Sequence, residues 1–314
     1  AEEALALAPI LDWLEGSLAA WTTPAPLYTL LAGFLAKLSS GYSNVQDGAR
    51  LASGVFTLTS LLFTGMAARS LFGPGFGAAA TLSLMGGLGL MLRAHALLPE
   101  TALLAAWSAL IYGVAAGRSH SRRGGSAIGI SLAVLALGLR GLPDVAAGLL
   151  IVVLPLLSSN WRSREYEHAV RFGITFATGI IFLGLILLWT FDHLTGWLEW
   201  HGPLRYLPLR IHGGAYSELP WFAWPLWPLA TWAIWHAHRR LGRTPELHPP
   251  LVALIVLLMA VMFPAWSRDG ALLPVLLPLS LLSAYAVEHL RRGAAQAFYW
   301  FGVLCFLFFV LAFW

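Results

Sequence analysis

Charged side chains are scarce: Asp, Glu, Lys and Arg make up 11% of the 314 residues, where a soluble domain carries about 25%. That scarcity excludes a soluble globular domain. It excludes a disordered chain as well, since disorder goes with low hydrophobicity and high charge. Cysteine occurs once, as Cys305, so no intrachain disulfide can form. Lysine also occurs once, as Lys37, which leaves eighteen of the nineteen Lys and Arg side chains as arginines. The alternating ten-residue segments of a membrane β-barrel are missing, as are fixed-period repeats and low-complexity tracts. A nucleic-acid module is also excluded. The isoelectric point near 9.5 comes from arginines of the kind that membrane proteins keep in cytoplasmic loops.

What fills the chain instead is apolar: 58% hydrophobic and 13% aromatic residues, with a mean hydropathy of +0.73. A helix needs about 20 apolar residues to cross a bilayer, and only helices or closed barrels satisfy the backbone in lipid. Apolar runs lie at 51–68, 75–97, 101–117, 127–139, 143–158, 172–190, 219–235, 251–266, 271–287 and 297–314. They predict an all-α polytopic transmembrane bundle of about ten helices. Residues 1–50 read as an outer-face loop carrying surface helices at 4–21 and 26–38, the second too short to span with ease. Residues 51–314 read as the bundle, with an outer loop at 191–218. The chain starts Ala1-Glu2-Glu3 and ends at Trp314 inside an apolar run, so we expect a preceding span before residue 1 and further chain after 314.

Arginine sets the expected orientation. If 118–126 is cytoplasmic, twelve of the eighteen arginines and four acids fall inside, for a net +8. Six arginines, Lys37 and eleven acids fall outside, for a net −4. Residues 1–50, 93–100, 140–144, 191–218 and 267–270 then share the outer face.

Among the outer acids Glu100 stands out, because it follows Pro99 at the end of one apolar run and starts the next. An ionisable residue at that depth suggests function; a first-turn acid favoured by the helix dipole fits the same position. Glu2 and Glu3 form an acidic pair on the same face, suited to proton transfer or to binding a divalent cation. Arg50, Arg140 and Arg268 stand at outer helix ends, where a guanidinium either grips phosphate bidentately or snorkels to the interface. The loop at 191–218 is rich in Trp, His and Arg, including His201 and His212, which fits either an aromatic belt or a cover over a site.

Five segments together resemble the bacterial branch of the GT-C membrane glycosyltransferases, relatives of the protein O-mannosyltransferases and the lipid A aminoarabinose transferase. The opening EEALALAPILDWLEGSLAAWTTPAPLYTLLAGFLAKLSSG is similar to the family's first outer loop. Glu2 and Glu3 take the places of its Asp-Glu pair, and Pro24-Ala25-Pro26-Leu27-Tyr28 resembles its proline-proline-leucine start of a surface helix. The stretch 49–73 resembles the second span, with Arg50 at its start. LRAHALLPETALLAAW, 92–107, resembles the segment that supplies a further acid, here Glu100. The turn around Arg140 resembles a Lys-Gly-Pro turn, and SRDGALLPVLLPLSLLSAY, 267–285, a late Leu-Pro span. The chain departs from the family in carrying Glu for the first Asp, Glu for the second acid, Arg for the turn lysine, and no lysine before the prolines.

The resemblance implies an enzyme of the bacterial inner membrane, active at its periplasmic face. Such an enzyme moves a sugar from a polyprenyl-phosphate donor to an acceptor with inversion. Glu2 is then the candidate base, with Glu3 and Glu100 on the acceptor or on a divalent metal ion. Arg50, Arg140 and Arg268 would hold the donor phosphate, with His95 and Tyr28 completing the substrate contacts. The implied partners are the polyprenyl-linked sugar, the lipid bilayer and other membrane proteins. The departures leave a non-catalytic GT-C-like subunit of a larger complex as the alternative. A transporter comes third, since no inverted repeat or mid-membrane acid pair is visible.

Overall fold

The computed structural model describes residues 2–16, 19–139, 141–201, 214–238, 244–261 and 269–290, with isolated positions beyond. In chain order the helices are α1 (Glu2–Leu14), α2 (Pro26–Ser39), α3 (Val45–Phe72), α4 (Phe76–Met85), α5 (Leu88–Arg93), α6 (Glu100–Gly117) and α7 (Ser121–Gly138). They continue with α8 (Leu142–Val153), α9 (Arg164–Thr190), α10 (Leu194–His201), α11 (Gly214–Phe222), α12 (Leu226–Ala237), α13 (His248–Val261) and α14 (Leu276–His289). Short 3-10 turns occupy Ala20–Thr22, Leu154–Leu157, Pro245–Leu247 and Asp269–Val275. No strand occurs among the described residues.

Among the described residues, four segments are long and apolar enough to cross a membrane: Val45–Phe72, Glu100–Gly117, Arg164–Thr190 and Leu272–His289. Phe76–Met85, Leu142–Leu157 and Pro245–Val261 are apolar but shorter. Several observed helices differ from the apolar runs. The run 75–97 is split at Gly86-Gly87 into α4 and α5, where two adjacent glycines weaken the helix and a Cβ on Gly87 would lie 3.1 Å from Leu226 of α12. The run 51–68 belongs to a 28-residue helix that starts at Val45. The charges before the run do not end the helix, because Arg50 pairs with Asp47 at 3.3 Å within it. Residues 191–218 are not a plain loop, since they hold α10 and the start of α11. The run 297–314, its isolated positions apart, lies outside the described residues, as do 262–268.

The span at α6 is 83% buried and forms the centre, whereas the span at α9 is only 17% buried and forms the rim. Small residues bring α6, α7 and α9 together. A Cβ on Gly124 would lie 2.5 Å from the Gly117 nitrogen and 2.7 Å from the Gly113 carbonyl oxygen. One on Gly129 would meet the Gly173 carbonyl oxygen at 2.8 Å. Gly113 and Gly117, like Gly125 and Gly129, repeat at four residues, the spacing that lets membrane helices approach backbone to backbone.

The two ends of this bundle differ. At one end Arg118 lies 5.2 Å over the Trp161 ring, and Arg122, Arg123, Arg162, Arg164 and Arg171 are exposed. At the other end the starts of α1, α3 and α6 converge, and Glu3, Arg50 and Glu100 lie there.

Candidate functional site

Helical spacing on α3 puts Gln46, Arg50 and Ser53 on one face, at i, i+4 and i+7. That face meets the start of α1 and the turn 94–99 that leads into α6. Glu3 is the hub of the contact. Its Oε2 accepts from Arg50 Nη2 at 2.8 Å and from Gln46 Nε2 at 3.3 Å, and its Oε1 accepts from the Leu97 backbone amide at 3.0 Å. The Arg50 hydrogen bond, followed by the Leu97 amide, holds the Glu3 carboxyl below the usual carboxylate range. Arg50 also reaches Asp47 at 3.3 Å. The side chains of Glu3 and Arg50 are 33% and 38% exposed, so the pair sits at the rim of the site and water screens it.

Behind this rim lies a second layer. Tyr28, on the first turn of α2, is 1% exposed, and its hydroxyl lies 2.8 Å from Ser53 Oγ. Ser53 in turn donates to the Ala96 carbonyl at 2.8 Å. Burial pushes the Tyr28 phenol up to about 12, and the charges of Glu100 and Glu3 push in the same direction. Glu100 opens α6 behind Pro99. Its Oε2 is buried and has no hydrogen-bond partner.

The wall beside α2 is the end of α7. Gly138 packs against Leu27, where a Cβ would stand 3.1 Å from the Leu27 Cβ. α10 covers that end: Trp197 Nε1 donates to the Leu137 carbonyl at 3.1 Å, and His201 Nε2 lies 2.6 Å from the Leu139 carbonyl oxygen. Trp197 and His201 stack at 4.9 Å and are 7% and 1% exposed. They therefore pack inside the protein rather than in a lipid-facing belt. Gly141, at φ +84°, turns the chain where His201 leaves little room for a side chain, and Asp144 on the next turn is fully buried.

The structure thus brings together Glu3, Arg50, Tyr28 and Glu100. His95 is exposed on the neighbouring turn. Glu2 begins α1, but its side chain lies outside the described residues, as do Arg140, Arg268 and His212. The sequence reading passed over Gln46, Ser53 and the 96–97 backbone. A signal was available: Gln46, Arg50, Ser53, Thr57, Ser60 and Thr64 form a polar stripe at alternating steps of four and three along this helix. As for a divalent cation, no three His, Cys, Asp or Glu side chains come together among the described residues. Glu3, the acid nearest such a role, already accepts three hydrogen bonds. The described donor set does not fit a metal.

No protein-family model matches the sequence, and no curated protein matches it either. Solved structures do match. ArnT from Cupriavidus metallidurans bound to undecaprenyl phosphate superposes with a TM-score of 0.71 at 18% identity, over 93% of this chain and 56% of that one. ArnT from the same organism in the apo state gives 0.73 at 18% identity, over 94% of this chain and 56% of that one. The chain therefore spans a little over half the length of those structures. The helical bundle has the fold of ArnT.

Proposed function

We propose that the chain carries the transmembrane site of a bacterial inner-membrane glycosyltransferase, which moves a sugar from a polyprenyl phosphate to an acceptor at the periplasmic face. One observation carries this reading. At the end of an ArnT-like fold where α1, α3 and α6 converge, Glu100 presents a buried carboxylate oxygen with no partner, beyond a Glu3 carboxylate that already accepts three hydrogen bonds. A carboxylate with an uncommitted oxygen is equipped to take a proton. One that already accepts from a guanidinium, an amide side chain and a backbone amide is not.

In the proposed step the acceptor's nucleophile attacks the anomeric carbon on the face opposite the phosphate. The new bond to the sugar forms as the carbon–oxygen bond to phosphate breaks. The electron pair leaves with the polyprenyl phosphate, and the acceptor proton passes to Glu100. Glu2 is the competing base. Glu3 and Arg50 hold the rim of the site. Arg140 and Arg268 are the proposed phosphate grips, since both terminal nitrogens of Arg50 are paired, with Glu3 and Asp47, and only its Nε is without a partner. No step runs through a metal.

The mutual neutralisation of Glu3 and Arg50 favours a second reading, a non-catalytic subunit that binds the lipid and leaves transfer to a partner. Mass spectrometry of lipids co-purified with the protein, followed by incubation with polyprenyl-phosphate sugars and candidate acceptors, tests both. Bound polyprenyl phosphate with sugar transfer supports the enzyme, and bound lipid without transfer supports the subunit. A preparation that neither carries nor binds polyprenyl phosphate refutes both.

A further inference from the structure

Two consecutive residues ahead of α6 are gripped by side chains from different helices. The Ala96 carbonyl accepts from Ser53 of α3 at 2.8 Å, and the Leu97 amide donates to Glu3 of α1 at 3.0 Å. Ser53 has a single hydroxyl proton, and it is spent on Ala96. The contact at 2.8 Å between Tyr28 and Ser53 must therefore have Tyr28 as donor. The order is then fixed: Tyr28 O–H to Ser53 Oγ, and Ser53 O–H to the Ala96 carbonyl. Both side chains are buried, Ser53 fully and Tyr28 to 1% exposure. Neither can touch a sugar or a phosphate without the bundle opening.

We infer that Tyr28 and Ser53 are positioning residues: a buried relay that fixes the 96–97 turn and, through Pro99, the point at which Glu100 meets the acceptor. This rests on the reading of Glu100 as the proton acceptor. It changes the role expected of Tyr28, from substrate contact to support. The physical need is plain. Residues 94–99 are not helical, so without side-chain clamps their peptide groups would choose among many conformations, at roughly 1–2 kcal/mol of entropy per residue. A proton acceptor displaced by about 1 Å can lose on the order of a hundredfold in rate.

The test uses the whole protein in detergent, as unmutated chain, Ser53→Ala, Tyr28→Phe and the double variant. Tyr28→Phe keeps the ring that lies 6.1 Å from Phe56, so the packing survives. Amide exchange of the 95–98 segment is read by mass spectrometry, and turnover is read with and without Glu100→Gln. Each single variant should speed exchange of the Leu97 amide by about tenfold, the effect of one hydrogen bond. The double variant should add little, because the relay acts as a unit. Each should lower kcat with the donor KM unchanged, and should cost nothing further once Glu100 is Gln. Unchanged exchange in both single variants overturns the relay. A loss of turnover equal in both Glu100 backgrounds makes the pair merely structural and overturns the positioning role. Full turnover in Glu100→Gln alone, with exchange altered as expected, instead overturns the reading of Glu100.

Discussion

Replacing Glu3 and Glu100 by Gln, one at a time, separates support from chemistry, because the two carboxylates have opposite surroundings. Glu3 accepts on both oxygens, from Arg50 at 2.8 Å and Gln46 at 3.3 Å on one and from Leu97 at 3.0 Å on the other. A glutamine has one oxygen for these two sides. Whichever way it turns, its NH2 group faces a donor. A buried unpaired donor costs about 1–3 kcal/mol. With Glu3 33% and Arg50 38% exposed, water recovers part of this, leaving about 1 kcal/mol. For a chain of this length that lowers the melting temperature by about 2 °C. Turnover per folded molecule should stay within about tenfold. Glu100→Gln should do the reverse. Its buried oxygen has no protein partner to lose, so stability should hardly change. The chemical step should slow by about a hundredfold to ten-thousandfold, with polyprenyl phosphate binding intact. Detergent melting curves and single-turnover sugar transfer, run in parallel with Glu2→Gln, read both quantities. Loss of turnover in Glu3→Gln at unchanged melting temperature, with Glu100→Gln fully active, would refute the division of roles. Silence of Glu2→Gln alone would move the base to Glu2.

Three further outcomes are expected. The folded-state pKa of Glu3 lies below its ordinary value of 4.5, so the rim contact contributes stability above that value and loses it as pH falls through the lowered one; melting curves should show acid sensitivity below about pH 4.5 that Glu3→Gln abolishes, and an unchanged profile in that variant would refute it. Gly124→Ala puts a methyl group against the Gly117 backbone and should cost about 1–3 kcal/mol by forcing α6 from α7, seen as a shorter half-life on heating in detergent; unaltered stability would mean the seam is loose. With Cys305 replaced by Ser, a cysteine at Ser121 should react with an impermeant maleimide only from the cytoplasm, and one at Tyr42, which is 98% exposed, only from the periplasm; the opposite pattern would turn the proposed site to the wrong face.

The all-helical bundle, its long apolar segments and the likeness to an ArnT-type fold were legible in the sequence. Each rests on local information. Apolar run length reports bilayer thickness, arginine placement carries the expected orientation, and short motifs in order carry the resemblance. Helix ends were less legible. The run 75–97 reads as one span, yet Gly86-Gly87 breaks it where α12 packs against Gly87. The helix at α3 runs past the charges before Leu51, because those charges pair with each other and with Glu3. A sequence shows a charge but not its partner.

The acids show the limit most sharply. In sequence Glu2, Glu3 and Glu100 are three carboxylates on one face, ranked by family likeness. Only the tertiary structure distinguishes Glu3, with three donors converging on it from α3 and the 97 amide, from Glu100, whose Oε2 is buried without one. Ser53 was invisible as a functional residue for the same reason. Its partners, Tyr28 and Ala96, stand 25 and 43 residues away. Contacts at that separation form only when α2, α3 and the turn before α6 pack. The sequence alone determined which residues can ionise and which segments are able to enter lipid. Packing decided which ionisable group is paired and which keeps an unpartnered oxygen, because hydrogen bonding and desolvation depend on neighbours that the chain brings together only when it folds.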